Sequence, residues 1–266
     1  MARNKKHEND KFYTKAQVVD EIISIVDVSE YDYIIEPSAG NGSFYNKINS
    51  TNKVGIDLVP ECSEIIQCDW FDFKLDKEYK KILVIGNPPF GKQGSLALKF
   101  IKKCVDLRVD TIASILPKSF KKDSLKNKIP LNYHLIKEID LPDDSFTLME
   151  KSYSVPCVFQ LWKISETSRT ISTMKTTTKM FEFVKKNENP TIAFRRVGFY
   201  AGKIYTDYTS KSEQSHYFIK CDKIISDIIE NLKWDHNNTA GPRSIGKSEL
   251  IEKVEKVISN QAKDCL

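Results

Sequence analysis

The run with the most specific chemistry in the chain is Asn87-Pro88-Pro89-Phe90. An asparagine side-chain oxygen followed by a proline carbonyl sets two hydrogen-bond acceptors close together. The prolines fix φ and stiffen the turn, so the acceptors need not reorganise during a reaction. That arrangement suits a planar amino nitrogen, which is a poor nucleophile because its lone pair is delocalised. Accepting both of its hydrogens favours a pyramidal nitrogen and localises the pair. Phe90 adds a ring on which a base held out of its stack can lie. Read alone, the tetrad also fits a rigid loop with an incidental Asn-Pro-Pro.

A second set of residues describes a ligand crevice. Glu36-Pro37-Ser38-Ala39-Gly40-Asn41-Gly42-Ser43-Phe44 follows a short apolar strand and leads toward a helix. Glycines let backbone approach a ligand closely. The full GxGxxG is absent, which argues against NAD and a bound pyrophosphate. S-adenosylmethionine carries no phosphate, so a looser turn suffices for it. Asp57 ends the next strand and is placed to accept from both ribose hydroxyls. Asp69 ends a third strand and can accept from an adenine amino group, with the aromatic Trp70-Phe71 covering the ring. Methyl transfer from a sulfonium needs in-line positioning more than a strong base, and it asks for no metal. Each feature alone also reads as an ordinary turn.

The elements that position these residues follow from periodicity. Val18, Val19, Ile22, Ile23 and Val26 recur at helical spacing, a helix that Thr14 is placed to cap. Strands are expected at 33–35, 53–57, 64–68, 81–85, 111–116, 134–141 and 155–164, with a helix through Ala97, Ile101, Cys104 and Val105. Short apolar strands alternating with helical patterns predict an α/β fold, a doubly wound and mostly parallel sheet. The last two strands, joined by a turn-like 142–154, are expected to pair antiparallel at one edge. Residues 1–11 read as a disordered tail, 12–164 as the catalytic domain and 165–178 as a Ser/Thr-rich linker or long loop. Residues 179–266 read as a small C-terminal α+β region, a candidate for substrate recognition. Its strands are expected at 191–194 and 197–200, with a helical stripe through Leu250, Ile251, Val254, Val257 and Ile258.

These residues resemble the S-adenosylmethionine-dependent amino-methyltransferases, chiefly the DNA adenine N6 enzymes. The glycine run is similar to that family's EP-x-x-G-x-G-x-F, and NPPF is one of its tetrads. Phe12-Tyr13-Thr14 resembles its N-terminal cofactor element, and the motif order is gamma-like. The likeness spans residues 12–164. It implies a Rossmann-like methyltransferase sheet and S-adenosylmethionine as cofactor. Thr14, Glu36, Gly40, Gly42, Asp57, Asp69 and Asn87 would contact that cofactor. The implied substrate is adenine in DNA. The C-terminal region is short for a target-recognition domain, which tells against sequence-specific DNA recognition, and three other readings stand beside the first. RNA is the alternative polymer. A protein glutamine methyltransferase is disfavoured by Phe90 and Glu36-Pro37. An inactive nucleic-acid-binding subunit is disfavoured by the intact Asn87 and the acids.

Bulk composition constrains less. The 266 residues carry a formal net charge of +5, which permits a polyanionic partner without requiring one. Six cysteines without a CxxC spacing suit a reducing, cytoplasm-like compartment. No apolar run approaches the length of a membrane span. Lys118, Lys121, Lys122, Lys126 and Lys128 follow the fifth strand, where they can hold phosphates or form a solvated loop. Arg195 and Arg196, near Phe194, Phe199 and Tyr200, can bind single-stranded nucleic acid; equally, those aromatics can be a core. Phe146 and Tyr153 are candidates for a second aromatic wall.

Overall fold

A computed structural model of the chain describes residues 12–148, 151–171, 173–234 and 243–264; the tail expected at 1–11 lies outside them. The chain divides into two compact units, 1–172 and 173–266.

The N-terminal unit is built on seven strands. In chain order its elements are β1 (Tyr13–Thr14), α1 (Ala16–Ile25), β2 (Tyr33–Pro37), β3 (Lys53–Asp57), β4 (Ile65–Gln67), β5 (Ile82–Gly86), α2 (Ser95–Asp106) and β6 (Thr111–Pro117). They continue with α3 (Asp123–Lys126), β7 (Tyr133–Asp140), β8 (Phe146–Leu148), β9 (Lys151–Tyr153) and β10 (Cys157–Ile164). The main sheet runs β4-β3-β2-β5-β6-β10-β7. Pairing is parallel from β4 through β6, while β10 is antiparallel to both neighbours. The last two strands therefore pair as expected, with the reversed β10 one place in from the edge and β7 outermost. The strand order reverses between β2 and β5, the place where open α/β sheets bind ligands at the carboxyl ends of their strands.

Alternation along the strands explains why both faces are covered. Ile35, Val84 and Ile112 pack with Ala97, Phe100, Ile101 and Cys104 of α2. Their neighbours Ile34, Leu83 and Ala113 point the other way, onto Val18, Val19 and Ile22 of α1. A sheet buried on both sides reads as continuous apolar strands, and these do.

The crossovers are leaner than the sequence suggests. The glycine run leads to a single 3-10 turn, Tyr45–Lys47, in place of the expected helix. Lys53 holds that turn by donating to the carbonyls of Tyr45 and Ile48, each at 2.7 Å. Thr14 does not cap α1. It is buried in β1, opposite Phe146 of β8, and the helix starts at Lys15 without a side-chain cap. The stretch 142–154, read as a turn, contains β8 and β9, which form a three-stranded sheet with β1. The start of the expected linker is also tied down. The Arg169 guanidinium donates to the carbonyls of Lys126, Ile129 and Tyr133.

The C-terminal unit is an antiparallel sheet with two helices. Its elements are β11 (Glu182–Val184), β12 (Ile192–Arg195), β13 (Ile204–Tyr205), β14 (His216–Lys220), α4 (Lys223–Asn231) and α5 (Lys247–Asp264). The strand order is β11-β14-β12-β13. Ile192, Phe194 and Ile219 pack against Ile225 and Ile229 of α4 and Leu250, Ile251 and Val254 of α5. The strand expected at 197–200 is a loop; Val197 makes only an isolated bridge to Ser244. Among the described residues no helix is long and apolar enough to cross a membrane.

Candidate active site

The carboxyl ends of β2, β3, β4 and β5 bring the expected residues to one rim of the main sheet. Ser38 and Gly40 both have positive φ, 61° and 53°, so the chain turns sharply after Pro37. The turn is stitched to the next strand. Ala39 N–H donates to the Ile56 carbonyl at 2.9 Å, and Gly40 N–H donates to Asp57 Oδ2 at 2.8 Å. Asp57 Oδ1 accepts from Val59 N–H at 2.8 Å. Each carboxylate oxygen has a second lone pair to offer, so Asp57 is oriented without being saturated. A Cβ on Gly40 would lie 3.6 Å from the Tyr13 ring, ordinary contact, so it is the positive φ that favours glycine there. Gly42, also at positive φ, packs beside Asn46. The Tyr13 hydroxyl donates to Glu61 Oε1 at 2.6 Å, and Glu61 N–H donates to the Gly40 carbonyl at 3.0 Å. The N-terminal element thus closes over the glycine turn.

Asp69 Oδ1 accepts from Phe71 N–H at 2.9 Å. Its aromatic neighbours separate. Trp70, expected to cover a ligand ring, is 3% exposed, between Phe73 and Phe100 in the core. Phe71 is the exposed one at 40%, and Leu58 and Val59 beyond Asp57 are about 60% exposed. Sequence reasoning did not single out Leu58 and Val59. The sequence offers no signal that separates them from Trp70, which also follows a strand-terminal acid and yet enters the core.

Glu36 stands apart from the other acids. It is 3% exposed and accepts from Tyr45 N–H at 2.6 Å. It therefore sits behind the glycine turn and supports it, rather than presenting a carboxylate to the crevice as expected. Burial pushes its carboxyl up to about 8, against the backbone donors of Tyr45 and Phe44. With no room for a solvation shell, the charged form is the costly one.

The tetrad follows β5 at the same rim. Asn87 Oδ1 is shielded from solvent and has no hydrogen-bond partner. A buried unpaired acceptor costs about 1–3 kcal/mol, so its retention calls for an explanation. The Phe90 carbonyl accepts from Leu96 and Ala97 N–H, which seats the tetrad on the first turn of α2. Phe90 is half-buried against the α1 side of the sheet. Gly91 has φ 67°, and a Cβ there would lie 2.7 Å from Leu96 Cβ. That glycine is obligatory for the loop and was not anticipated.

Several expected substrate contacts are absorbed by the fold. Phe146 is 1% exposed beneath α1 and cannot stack on a base; the side chain of Tyr153 is not among those described. Lys118 and Lys121 both pair with Asp140, at 3.4 and 2.8 Å, and Lys126 pairs with Glu138. Lys122 closes the turn before α3 through its backbone. Arg195 is spent on the Val197 carbonyl and Ser215 Oγ, and Arg196 donates to the Gln214 carbonyl while lying over Tyr217. Both arginines staple loops of the C-terminal unit. Phe194 is core, while Phe199 and Tyr200 remain exposed.

No family model matches the chain, and neither does any curated protein. Solved structures that resemble it include a candidate RNA methyltransferase from Pyrococcus horikoshii, 14% identical with a TM-score of 0.47, covering 61% of this chain and 91% of that one. Another is the N-methyltransferase NodS from Bradyrhizobium japonicum, 10% identical with a TM-score of 0.41, covering 56% and 96%. A third is the magnesium protoporphyrin IX methyltransferase of Synechocystis, 11% identical with a TM-score of 0.40, covering 56% and 79%.

Proposed function

We propose that the N-terminal unit transfers a methyl group from S-adenosylmethionine to the N6 amino group of adenine in DNA. The observation that carries this reading is the unpaired, buried Asn87 Oδ1 at the end of β5. An acceptor left without a donor is what a site for an incoming amino group requires. The Pro88 carbonyl is the second acceptor. Together they take the two amino hydrogens and turn the nitrogen lone pair outward, and Phe90 supports the base.

The donor site is made of groups already held in place. Asp57, oriented by Gly40 and Val59 N–H, keeps lone pairs for ribose hydroxyls. Asp69, oriented by Phe71 N–H, serves the adenine amino group. Leu58, Val59 and Phe71 bracket the ring. When bound, the cofactor supplies a methyl on sulfonium sulfur, an electrophile that needs no metal. The adenine nitrogen forms the new C–N bond as the C–S bond breaks, and the nitrogen then releases a proton to water. Catalysis comes from alignment and from acceptors set before the reaction.

The test is transfer of labelled methyl to a panel of DNA and RNA, followed by nucleoside analysis. The expected product is N6-methyladenine in DNA. No transfer to any DNA by protein that still binds the cofactor calorimetrically would overturn the reading. Preference for RNA would keep the chemistry and replace the polymer. Asn87→Ala is expected to lower kcat by roughly 100- to 1,000-fold, the scale of losing one preorganised polar contact. Its cofactor affinity should move little.

A further inference from the structure

The C-terminal unit contains a cavity of about 680 Å³, lined by Phe183, Lys185, Lys186, His216, Tyr217 and Lys247 among others. It lies where the β11–β14 pair meets the first residue of α5. Three features of its wall point to one ligand class.

The first is charge without partners. Lys185, Lys186 and Lys247 have no carboxylate within ion-pair distance among the described residues. Lys186 Nζ donates to the Lys211 carbonyl at 2.9 Å. Lys247 Nζ is held 4.4 Å from the Phe183 ring centre and 5.7 Å from that of Tyr217. Aromatic faces fix a cation without neutralising it. Among the described residues Glu213 is the one acidic residue on the wall, so against it the three lysines leave a net excess of two positive charges.

The second is an aromatic corner. Phe183 and Tyr217 meet edge to face at 5.4 Å and border the lysines. The third is a fixed acceptor. His216 is buried, and its Nδ1 lies 3.0 Å from the Ser212 carbonyl. A carbonyl cannot donate, so Nδ1 carries the hydrogen and Nε2 the lone pair. Burial and the nearby Arg195 and Lys211 lower the imidazole's affinity for a proton, which keeps that lone pair available.

From the cations, rings and acceptor together, we propose that this cavity takes one nucleotide of a single-stranded nucleic acid. Lys185, Lys186 and Lys247 hold its phosphates, the edges of the Phe183–Tyr217 corner border its base, and His216 Nε2 accepts from a base amino or sugar hydroxyl. The volume is that of a small-ligand pocket, enough for one nucleotide. The inference rests on the reading of the protein as a nucleic-acid methyltransferase, and it adds where that enzyme grips its strand. DNA and RNA share the recognised chemistry.

The test measures binding of labelled single-stranded DNA and RNA oligonucleotides of matched sequence to the full chain at several salt concentrations. The comparison variant is Lys185→Ala/Lys186→Ala/Lys247→Ala, all exposed or partly exposed positions, with its fold checked by circular dichroism. Three phosphate contacts contribute about 2 to the slope of log affinity against log salt. The variant should lose about 2 from that slope and at least tenfold in affinity for whichever strand the wild type binds. An unchanged slope and affinity would overturn the proposal, as would a wild type that binds neither strand. Inorganic phosphate that displaces nothing at millimolar concentration supports a strand site; full competition by phosphate alone would reduce the cavity to an anion site and overturn it. The two readings fail separately. Strand binding lost in the variant, without methyl transfer by the wild type, sinks only the methyltransferase reading. Methyl transfer with an unchanged KM for the oligonucleotide in the variant sinks only the cavity.

Discussion

The two units spend their polar residues differently. At the rim of the N-terminal sheet the polar groups are largely engaged by the chain itself. Asp57 holds Gly40 and Val59, Asp69 holds Phe71, Glu36 holds Tyr45, and the lysines after β6 face Asp140 and Glu138. Among the described residues of this rim, Asn87 Oδ1 is the buried side-chain atom left without a partner. Around the C-terminal cavity Lys186 rests on a carbonyl and Lys247 on aromatic rings, and among the described residues no carboxylate lies within ion-pair distance of either ammonium group. The N-terminal rim is built like a mould around Asn87, whereas the cations of the C-terminal cavity are held without being neutralised. Whether a charged residue is available to a ligand depends on what faces it, and Lys118, Lys121 and Lys126, each paired with an acid of β7, are less available than the lysines of the cavity.

Glu36 gives the largest effect on stability that this contrast predicts. Its carboxyl is raised from the ordinary 4.5 to about 8 by burial. Below pH 4.5 the group is neutral in both folded and unfolded chains, so it carries no penalty. As pH rises toward 8 the unfolded chain ionises while the folded one resists, and stability falls. Glu36→Gln removes that titration and keeps an oxygen for Tyr45 N–H. Its stability relative to wild type should rise between pH 4.5 and 8, by something on the order of 3 kcal/mol at the upper end. Thermal melts across that range test this. Parallel melting curves for the two proteins would mean that Glu36 ionises freely, and that the mould is looser than drawn here.

Much of this was legible beforehand, for physical reasons that differ by region. Strands such as 53–57 and 111–116 could be read because a sheet buried on both faces demands largely apolar runs, and little else in a sequence does that. The acids and the tetrad were legible because they close such strands. Trp70 and Phe146 were misread as ligand contacts because an aromatic residue beside a site is chemically identical to one beneath it; only burial separates them. The lysine strip misled in the same way. Its partners, Asp140 and Glu138, sit on β7, whose place beside β10 depends on strand order rather than on local sequence. The cavity was invisible for that reason too, since residues 183, 216 and 247 meet only through the β11–β14 pairing and α5.

A smaller effect separates the rigid tetrad loop from the cavity's surroundings. Gly91→Ala puts a Cβ 2.7 Å from Leu96 Cβ at a φ of 67°. Relieving that contact moves either the loop or the first turn of α2. A cost of about 1–3 kcal/mol is expected, with a drop in methyl transfer because Phe90 anchors to the same turn. Gly246→Ala, beside Lys247, meets nothing within 4 Å and should change the melting midpoint little. Equal losses in the two variants would remove the distinction between a tight N-terminal rim and an open C-terminal wall.

The smallest expected effect is the most discriminating about charge. Lys121 and Asp140 are paired at 2.8 Å with both side chains more than a third exposed. Pairs of that kind contribute about 0–1 kcal/mol. Asp140 also keeps Lys118 at 3.4 Å, so losing one partner does not strand the carboxylate. Lys121→Ala should therefore leave stability within about 1 kcal/mol of wild type. It should also leave the salt slope for oligonucleotide binding unchanged, because a cation already facing a carboxylate releases few counterions from a strand. A slope reduced by about 0.7, one full phosphate contact, would show that Lys121 abandons Asp140 for nucleic acid and that the N-terminal rim grips the strand as well.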